Sequence, residues 1–102
     1  MEPKASYIPS NTGEFSAMQP ITIYTKGWCP YCSAAKKLLD DKGAAFTEID
    51  IEKKPEARAE MIQKAKGRTT VPQIFIGEKH VGGCDDLYAL DDRGQLEPLL
   101  QA

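Results

Sequence analysis

An α/β fold, a four-stranded mixed sheet flanked by helices on both faces, is what this sequence predicts, and three observations carry the prediction. Runs of β-branched and aromatic residues alternate with segments of helical period. Prolines open the first two helical segments and glycines close them. Two late strand-like runs are separated only by Gly77-Glu78, the mark of a hairpin. A strand–helix–strand unit calls for a right-handed crossover with parallel strands, whereas a hairpin is antiparallel, so the sheet must be mixed.

The elements follow in order. Residues 1–19 are rich in Pro, Ser, Asn, Thr and Gly and show neither period, which predicts a flexible N-terminal extension. Met18 offers an alternative start, so this stretch also reads as a leader preceding a domain over residues 20–102. Ile21-Thr22-Ile23-Tyr24-Thr25 reads as the first strand, running into the turn Lys26-Gly27-Trp28-Cys29. Pro30 suits a first helical turn; Tyr31, Ala35, Leu38, Leu39 and Lys42 keep helical spacing until Gly43. A second strand is expected over residues 46–51. The second helix opens at Pro55, carries Ala57, Met61, Ile62 and Ala65 on one face, and closes at Gly67. Val71 to Ile76 and Lys79-His80-Val81 form the hairpin strands. After Gly82-Gly83 comes a last helical stretch from about Asp85, with a break near Gly94.

Composition narrows the function. The chain of 102 residues fits one domain, and 41% hydrophobic with 27% charged residues is an ordinary soluble balance. A net charge of -2 argues against a nucleic-acid partner. No apolar run approaches membrane-spanning length. Three cysteines cannot all pair internally, and no apolar secretory core follows Met1, so a reducing, cytoplasmic setting is expected.

Chemistry concentrates at Cys29-Pro30-Tyr31-Cys32. Cys29 stands where a strand ends and a helix begins, among backbone N–H groups that favour negative charge on its sulfur. Lys26 adds positive charge nearby, and the thiolate is the nucleophilic form of cysteine. Cys32 falls one turn further in, within disulfide reach and more shielded. Cys29 should therefore attack and Cys32 resolve. Two other readings compete. Zinc held by Cys29, Cys32, Cys84 and His80 would lack the regular ligand spacing of closed sites. A structural Cys29–Cys32 disulfide would close too short a loop to stabilise much.

With these residues in view, the sequence resembles the dithiol glutaredoxins, closest to the short bacterial ones. The resemblance rests on Cys29-Pro30-Tyr31-Cys32 after Tyr24-Thr25-Lys26, on Thr70-Val71-Pro72, on the strand Gln73-Ile74-Phe75-Ile76, and on Gly82-Gly83-Cys84-Asp85-Asp86. It covers residues 20–100 and implies a thioredoxin fold with glutathione as co-substrate and no metal. It also implies that Pro72 is a cis proline facing the cysteines, so that the Val71 N–H and C=O could pair with the cysteinyl part of glutathione like an added strand. Asp85 and Asp86, at a helix start, are expected both to cap it and to meet the γ-glutamyl group. Lys26 and Gln63 would meet the glycine carboxylate at the other end, and Tyr31, Thr70 and Cys84 would flank the groove.

The sequence departs from the family in places. Thr69 stands where many relatives carry arginine, so Arg68, one residue earlier, is not counted as a ligand. Trp28 is shared with thioredoxins and reads as a partly exposed lid or a stacking surface. Cys84 reads as a half-buried groove residue or as a regulatory thiol, and His80 as surface decoration. The expected activity is glutathione-dependent reduction of protein–glutathione mixed disulfides and protein disulfides by a monomer. Two alternatives remain open: a glutathione-ligated [2Fe–2S] cluster carrier, and a thioredoxin-like electron donor.

Overall fold

In the computed structural model, which describes residues 19–101, the chain runs β1 (Ile21–Thr25), α1 (Pro30–Asp41), β2 (Thr47–Asp50), α2 (Pro55–Lys64), β3 (Gln73–Ile76), β4 (Lys79–Gly82), α3 (Cys84–Asp92) and α4 (Leu96–Gln101). The extension expected over residues 1–19 lies outside the described residues except for Gln19, whose N–H donates to the Leu100 carbonyl at 2.8 Å.

The sheet has the order β2-β1-β3-β4. β1 pairs parallel with β2 and antiparallel with β3, and β3 pairs antiparallel with β4, so the predicted mixed sheet is present. The two central strands are covered on both faces, which is why both are nearly continuous apolar runs. Alternation then divides their side chains. Ile21, Ile23, Ile74 and Ile76 join Leu38 and Leu39 of α1, Leu87 of α3, and Leu96 and Leu100 of α4 in one core. Tyr24 and Phe75 point the other way, onto Ala57 and Met61 of α2. Their rings meet edge to face, with centroids 5.7 Å apart.

Local chemistry sets the boundaries. Pro30 occupies the first turn of α1, where an N–H has no intrahelical partner in any case. The break expected near Gly94 divides the last helical stretch into two helices. Gly94 takes φ +70 and the Gln95 N–H turns back to the Leu90 carbonyl at 2.9 Å, so α3 ends and α4 starts in a new direction. β2 is shorter than expected because Phe46 lies before the paired residues and Ile51 bonds only through its N–H to Thr25. Between β3 and β4 the register shifts: Ile74 faces Gly82 while Phe75 faces His80, leaving Val81 as an extra residue.

The end of β1, from which the cysteine loop departs, is tied down by a buried hydroxyl. Thr25 Oγ1 donates to Glu48 Oε2 at 2.7 Å, and Lys36 Nζ of α1 reaches the same oxygen at 3.0 Å. The Thr25 hydroxyl first, and Lys36 after it, hold the Glu48 carboxyl below the usual glutamate range. No helix among the described residues is long and apolar enough to cross a membrane.

Leu39 is fully buried where α1 meets the sheet. Leu39→Ala is expected to cost about 2–5 kcal/mol of unfolding free energy. Urea denaturation followed by circular dichroism checks this, and a loss well under 1 kcal/mol would contradict the packing.

Candidate active site

The loop after β1 delivers Cys29 to the start of α1. Within it, the Gly27 N–H donates to Glu52 Oε1 at 3.0 Å. Cys29 is the N-cap of α1, in extended conformation, and its sulfur accepts from the Cys32 N–H at 3.3 Å. The sulfur thus takes the place that a serine or aspartate oxygen takes at most helix starts, facing the positive end of the helix. No disulfide joins the two cysteines in this structure.

The pair is asymmetric. Cys29 is 9% exposed and Cys32 2%. Burial first, and then the hydrogen bond with Cys29, push the Cys32 thiol up to about 12. Cys32 therefore keeps its proton near neutral pH, while Cys29 has the amide of the helix start aimed at its sulfur.

Beside the cysteines runs a groove of about 160 Å³. The loop Thr70-Val71-Pro72 forms one wall, with a cis peptide bond between Val71 and Pro72. Gly83, Cys84, Asp85 and Asp86 at the start of α3 form the other, and Tyr31 flanks the opening. A second depression on the far side of the same loop is lined by Lys26, Arg58, Thr69, Thr70 and Val71 among others. Thr70 and Val71 belong to both, so the loop is a ridge between an acidic helix start and a corner where Lys26 and Arg58 stand with Glu52, whose Oε1 accepts from the Gly27 N–H. Gln63 lines neither: it sits on the exposed side of α2.

Details at the acidic end differ from expectation. α3 begins at Cys84 with Gly83 as N-cap, so Asp85 and Asp86 fall inside the first turn and cannot be the cap residue itself. Asp86 nevertheless reaches back, accepting from the Gly83 N–H at 2.9 Å. Arg68 lines the groove and pairs with the same carboxylate oxygen at 3.3 Å. Discounting Arg68 on its sequence position missed this, because the loop before Thr70 bends back towards α3. Cys84 is 8% exposed, and burial first, then Asp85 and Cys29, push its thiol up.

Other residues also land differently. Trp28 is 86% exposed, too open to be a lid, and Tyr31 is exposed beside it. His80 is more than surface decoration. It is half-buried, stacks on Phe75 with centroids 4.8 Å apart, and its Nε2 lies 2.7 Å from Gln73 Oε1. Gln73 is completely buried and was not singled out beforehand; a lone amide within an apolar strand was the available signal, since a buried amide needs partners. Among the described residues no group of three or more His, Cys, Asp or Glu side chains could hold a metal ion. Cys29, Cys32, Cys84 and His80 do not gather into the zinc set weighed above.

Paired thiols at a strand-to-helix junction, beside a cis-proline loop and on this four-stranded sheet, define a thiol–disulfide oxidoreductase of the thioredoxin fold. The glutaredoxin family model matches residues 21–81. A glutaredoxin of Pseudomonas aeruginosa is 61% identical over 85 residues, which are 83% of this chain and 100% of that protein. The solution structure of the Brucella melitensis glutaredoxin matches with a TM-score of 0.74 at 57% identity, covering 86% of this chain and 95% of that one. A crystal structure of a buckwheat glutaredoxin–glutathione complex matches with a TM-score of 0.73 at 38% identity, covering 80% of this chain and 76% of that one. The chain belongs to the glutaredoxin family.

Brief alkylation of the reduced protein near neutral pH is expected to modify Cys29, whose sulfur faces the helix-start amide, before Cys32 and Cys84, whose thiols are pushed up. Peptide mapping by mass spectrometry reads the order, and modification of Cys32 first would contradict it. Gly82 has φ +118, and a Cβ there would stand 2.8 Å from Asp86 Cγ and 2.9 Å from Arg68 Nη1. Gly82→Ala is accordingly expected to lose about 1–3 kcal/mol of stability, measured by urea unfolding; wild-type stability would show that the turn tolerates a side chain.

Proposed function

We propose that this protein is a glutathione-dependent oxidoreductase that reduces protein–glutathione mixed disulfides and protein disulfides, with Cys29 as nucleophile and Cys32 as resolving thiol. The observation that carries the reading is the ridge Thr70-Val71 beside the cysteines, with an acidic helix start on one side and Lys26 and Arg58 on the other. Glutathione has the matching layout: an α-amino acid at one end, a peptide in the middle and a carboxylate at the other. Neither the N–H nor the C=O of Val71 is hydrogen-bonded among the described residues, so both are open to an extended ligand. The uncapped amides at the start of α3 suit the γ-glutamyl carboxylate, and Asp85 and Asp86 its ammonium. Lys26 and Arg58 suit the glycine carboxylate, a role for which Gln63 sits less favourably. The buckwheat neighbour, solved with glutathione, supports the same assignment.

The cycle then follows. The Cys29 thiolate attacks the glutathione sulfur of a mixed disulfide, the old S–S bond breaks, and the substrate protein leaves as a thiolate that takes a proton from water. A second glutathione thiolate attacks the glutathione sulfur now bound to Cys29, which releases oxidised glutathione and restores the Cys29 thiolate. For a protein disulfide, Cys29 forms a mixed disulfide with the substrate. Cys32 gives up its proton and displaces the substrate thiolate, and two glutathiones reduce the resulting Cys29–Cys32 bond. Part of what raises the Cys32 thiol is its hydrogen bond with the Cys29 sulfur and that sulfur's charge. Both disappear once Cys29 is neutral in a disulfide, so Cys32 becomes a better nucleophile at the step that needs it. The cycle requires no metal and no second subunit, and it belongs in a reducing, glutathione-rich compartment such as the cytoplasm.

Cys29→Ser is expected to abolish reduction of both substrate types, and Cys32→Ser to lose only protein-disulfide reduction while keeping deglutathionylation. A glutathione-reductase-coupled assay on a glutathionylated peptide measures both, and substantial turnover by Cys29→Ser would sink the assignment.

A further inference from the structure

Gln73 is 0% exposed in a strand whose other residues are apolar, so its amide must find both a donor and an acceptor partner inside the protein. Its Nε2 donates to the Thr70 carbonyl at 3.0 Å and lies 3.2 Å from Thr70 Oγ1. A carbonyl can only accept, which orients the amide with its nitrogen towards Thr70 and its oxygen towards His80. That oxygen can likewise only accept, so His80 Nε2, 2.7 Å away, carries a hydrogen. The imidazole is held flat on Phe75, whose ring is itself buried against Tyr24. The extra residue Val81 in β4 keeps His80 opposite Phe75, on the face that Gln73 shares. An unbroken chain of contacts therefore runs from the core through Phe75, His80 and Gln73 to the carbonyl of Thr70.

That carbonyl is in the same peptide plane as the Val71 N–H. The Thr70–Val71 bond is trans, the cis bond being the next one along, so the C=O and the N–H of this plane point in opposite directions. Anchoring the carbonyl inward on Gln73 turns the amide hydrogen outward, towards the groove.

We propose that His80 and Gln73 are positioning residues for substrate: they hold the Thr70–Val71 peptide plane from behind so that the Val71 N–H is already aimed at the cysteinyl backbone of glutathione before it binds. This rests on the glutathione reading given above. Neither residue touches the reacting sulfurs, so their loss weakens binding of the glutathione moiety in ground state and transition state alike, and leaves the chemistry at Cys29 intact.

The test separates the hydrogen bond from the packing of the ring. His80→Phe keeps a flat ring on Phe75 but has no donor, whereas His80→Gln places an amide nitrogen near the position of Nε2 without the ring. With a glutathione–mercaptoethanol mixed disulfide as substrate, His80→Phe is expected to raise KM about 3- to 10-fold, the scale of one hydrogen bond, with kcat within about two-fold by the same reasoning. His80→Gln is expected to return KM to near the wild-type value. Gln73→Met, of similar shape with both polar atoms removed, is a second arm expected to behave like His80→Phe, so the test survives if either variant fails to fold. A wild-type KM in His80→Phe or Gln73→Met overturns the proposal, as does an equal rise in His80→Phe and His80→Gln, which would assign the effect to ring packing. Solvent exchange of the Gln73 side-chain amide protons, followed by NMR without glutathione, is expected to be slow in wild type and His80→Gln and faster in His80→Phe. A wild type that shows this protection yet does not turn over the mixed disulfide would refute the glutathione reading, and the substrate role with it, while leaving the network in place.

Discussion

The hydrogen bond from the Cys32 N–H to the Cys29 sulfur, 3.3 Å long, is the interaction around which the site is organised. It exists only if a strand ends and a helix begins with no more than a tight turn between them. β1 supplies the strand end, pinned through Thr25 and Glu48, and Pro30 supplies a helix start that needs no donor of its own. Cys29 thereby becomes a cap whose acceptor is the sulfur proposed as the nucleophile. Replacing a cap oxygen by sulfur gives a weaker cap, and the core beneath α1, built on Ala35, Leu38 and Leu39, holds the helix in place regardless.

The same geometry makes the thiols unequal. Cys32 lies deepest, and Cys84 is buried about as far as Cys29; burial is the chief cause that pushes the Cys32 and Cys84 thiols up. Burial thus disfavours negative charge on Cys32 and Cys84, and the charged side chains of the site stand at the ends of the flanking grooves. Arg68 neutralises part of Asp86, and Lys26 and Arg58 stand on the opposite side of the Thr70-Val71 ridge. The layout proposed to receive glutathione thus has charged groups at its two ends and a bare backbone edge in the middle.

Covering both faces of the sheet has a consequence beyond stability. Because β3 is central, Gln73 at its start has no access to water and must satisfy its amide within the protein. It does so with the loop on one side and with His80 on the other. A polar residue that would be a liability in most buried strands here connects the core to the loop beside the cysteines.

Much of the fold was legible in the residues themselves. The runs at 21–25 and 71–76, the helical spacing from Pro30 and Pro55, and the Gly77-Glu78 turn are local signals, and each element formed where those signals lie, with β3 starting only at Gln73 because Val71 and Pro72 form the cis-proline loop. Part of the inequality of Cys29 and Cys32 was also legible, since spacing shows which cysteine opens the helix, while the burial that raises Cys32 comes from packing. What the sequence could not determine were the relations that tertiary packing creates. Arg68 faces Asp86 only because α3 and the loop before Thr70 converge, and Arg58, rather than Gln63, shares a corner with Lys26 because of how α2 lies on the sheet. His80 reaches Gln73 only through a register shift between β3 and β4, which no local pattern encodes. Local order and the place of Cys29 at a helix start follow from short-range spacing. Which side chains surround it depends on contacts distant in sequence, and those exist only once the sheet has closed on its two layers of helices.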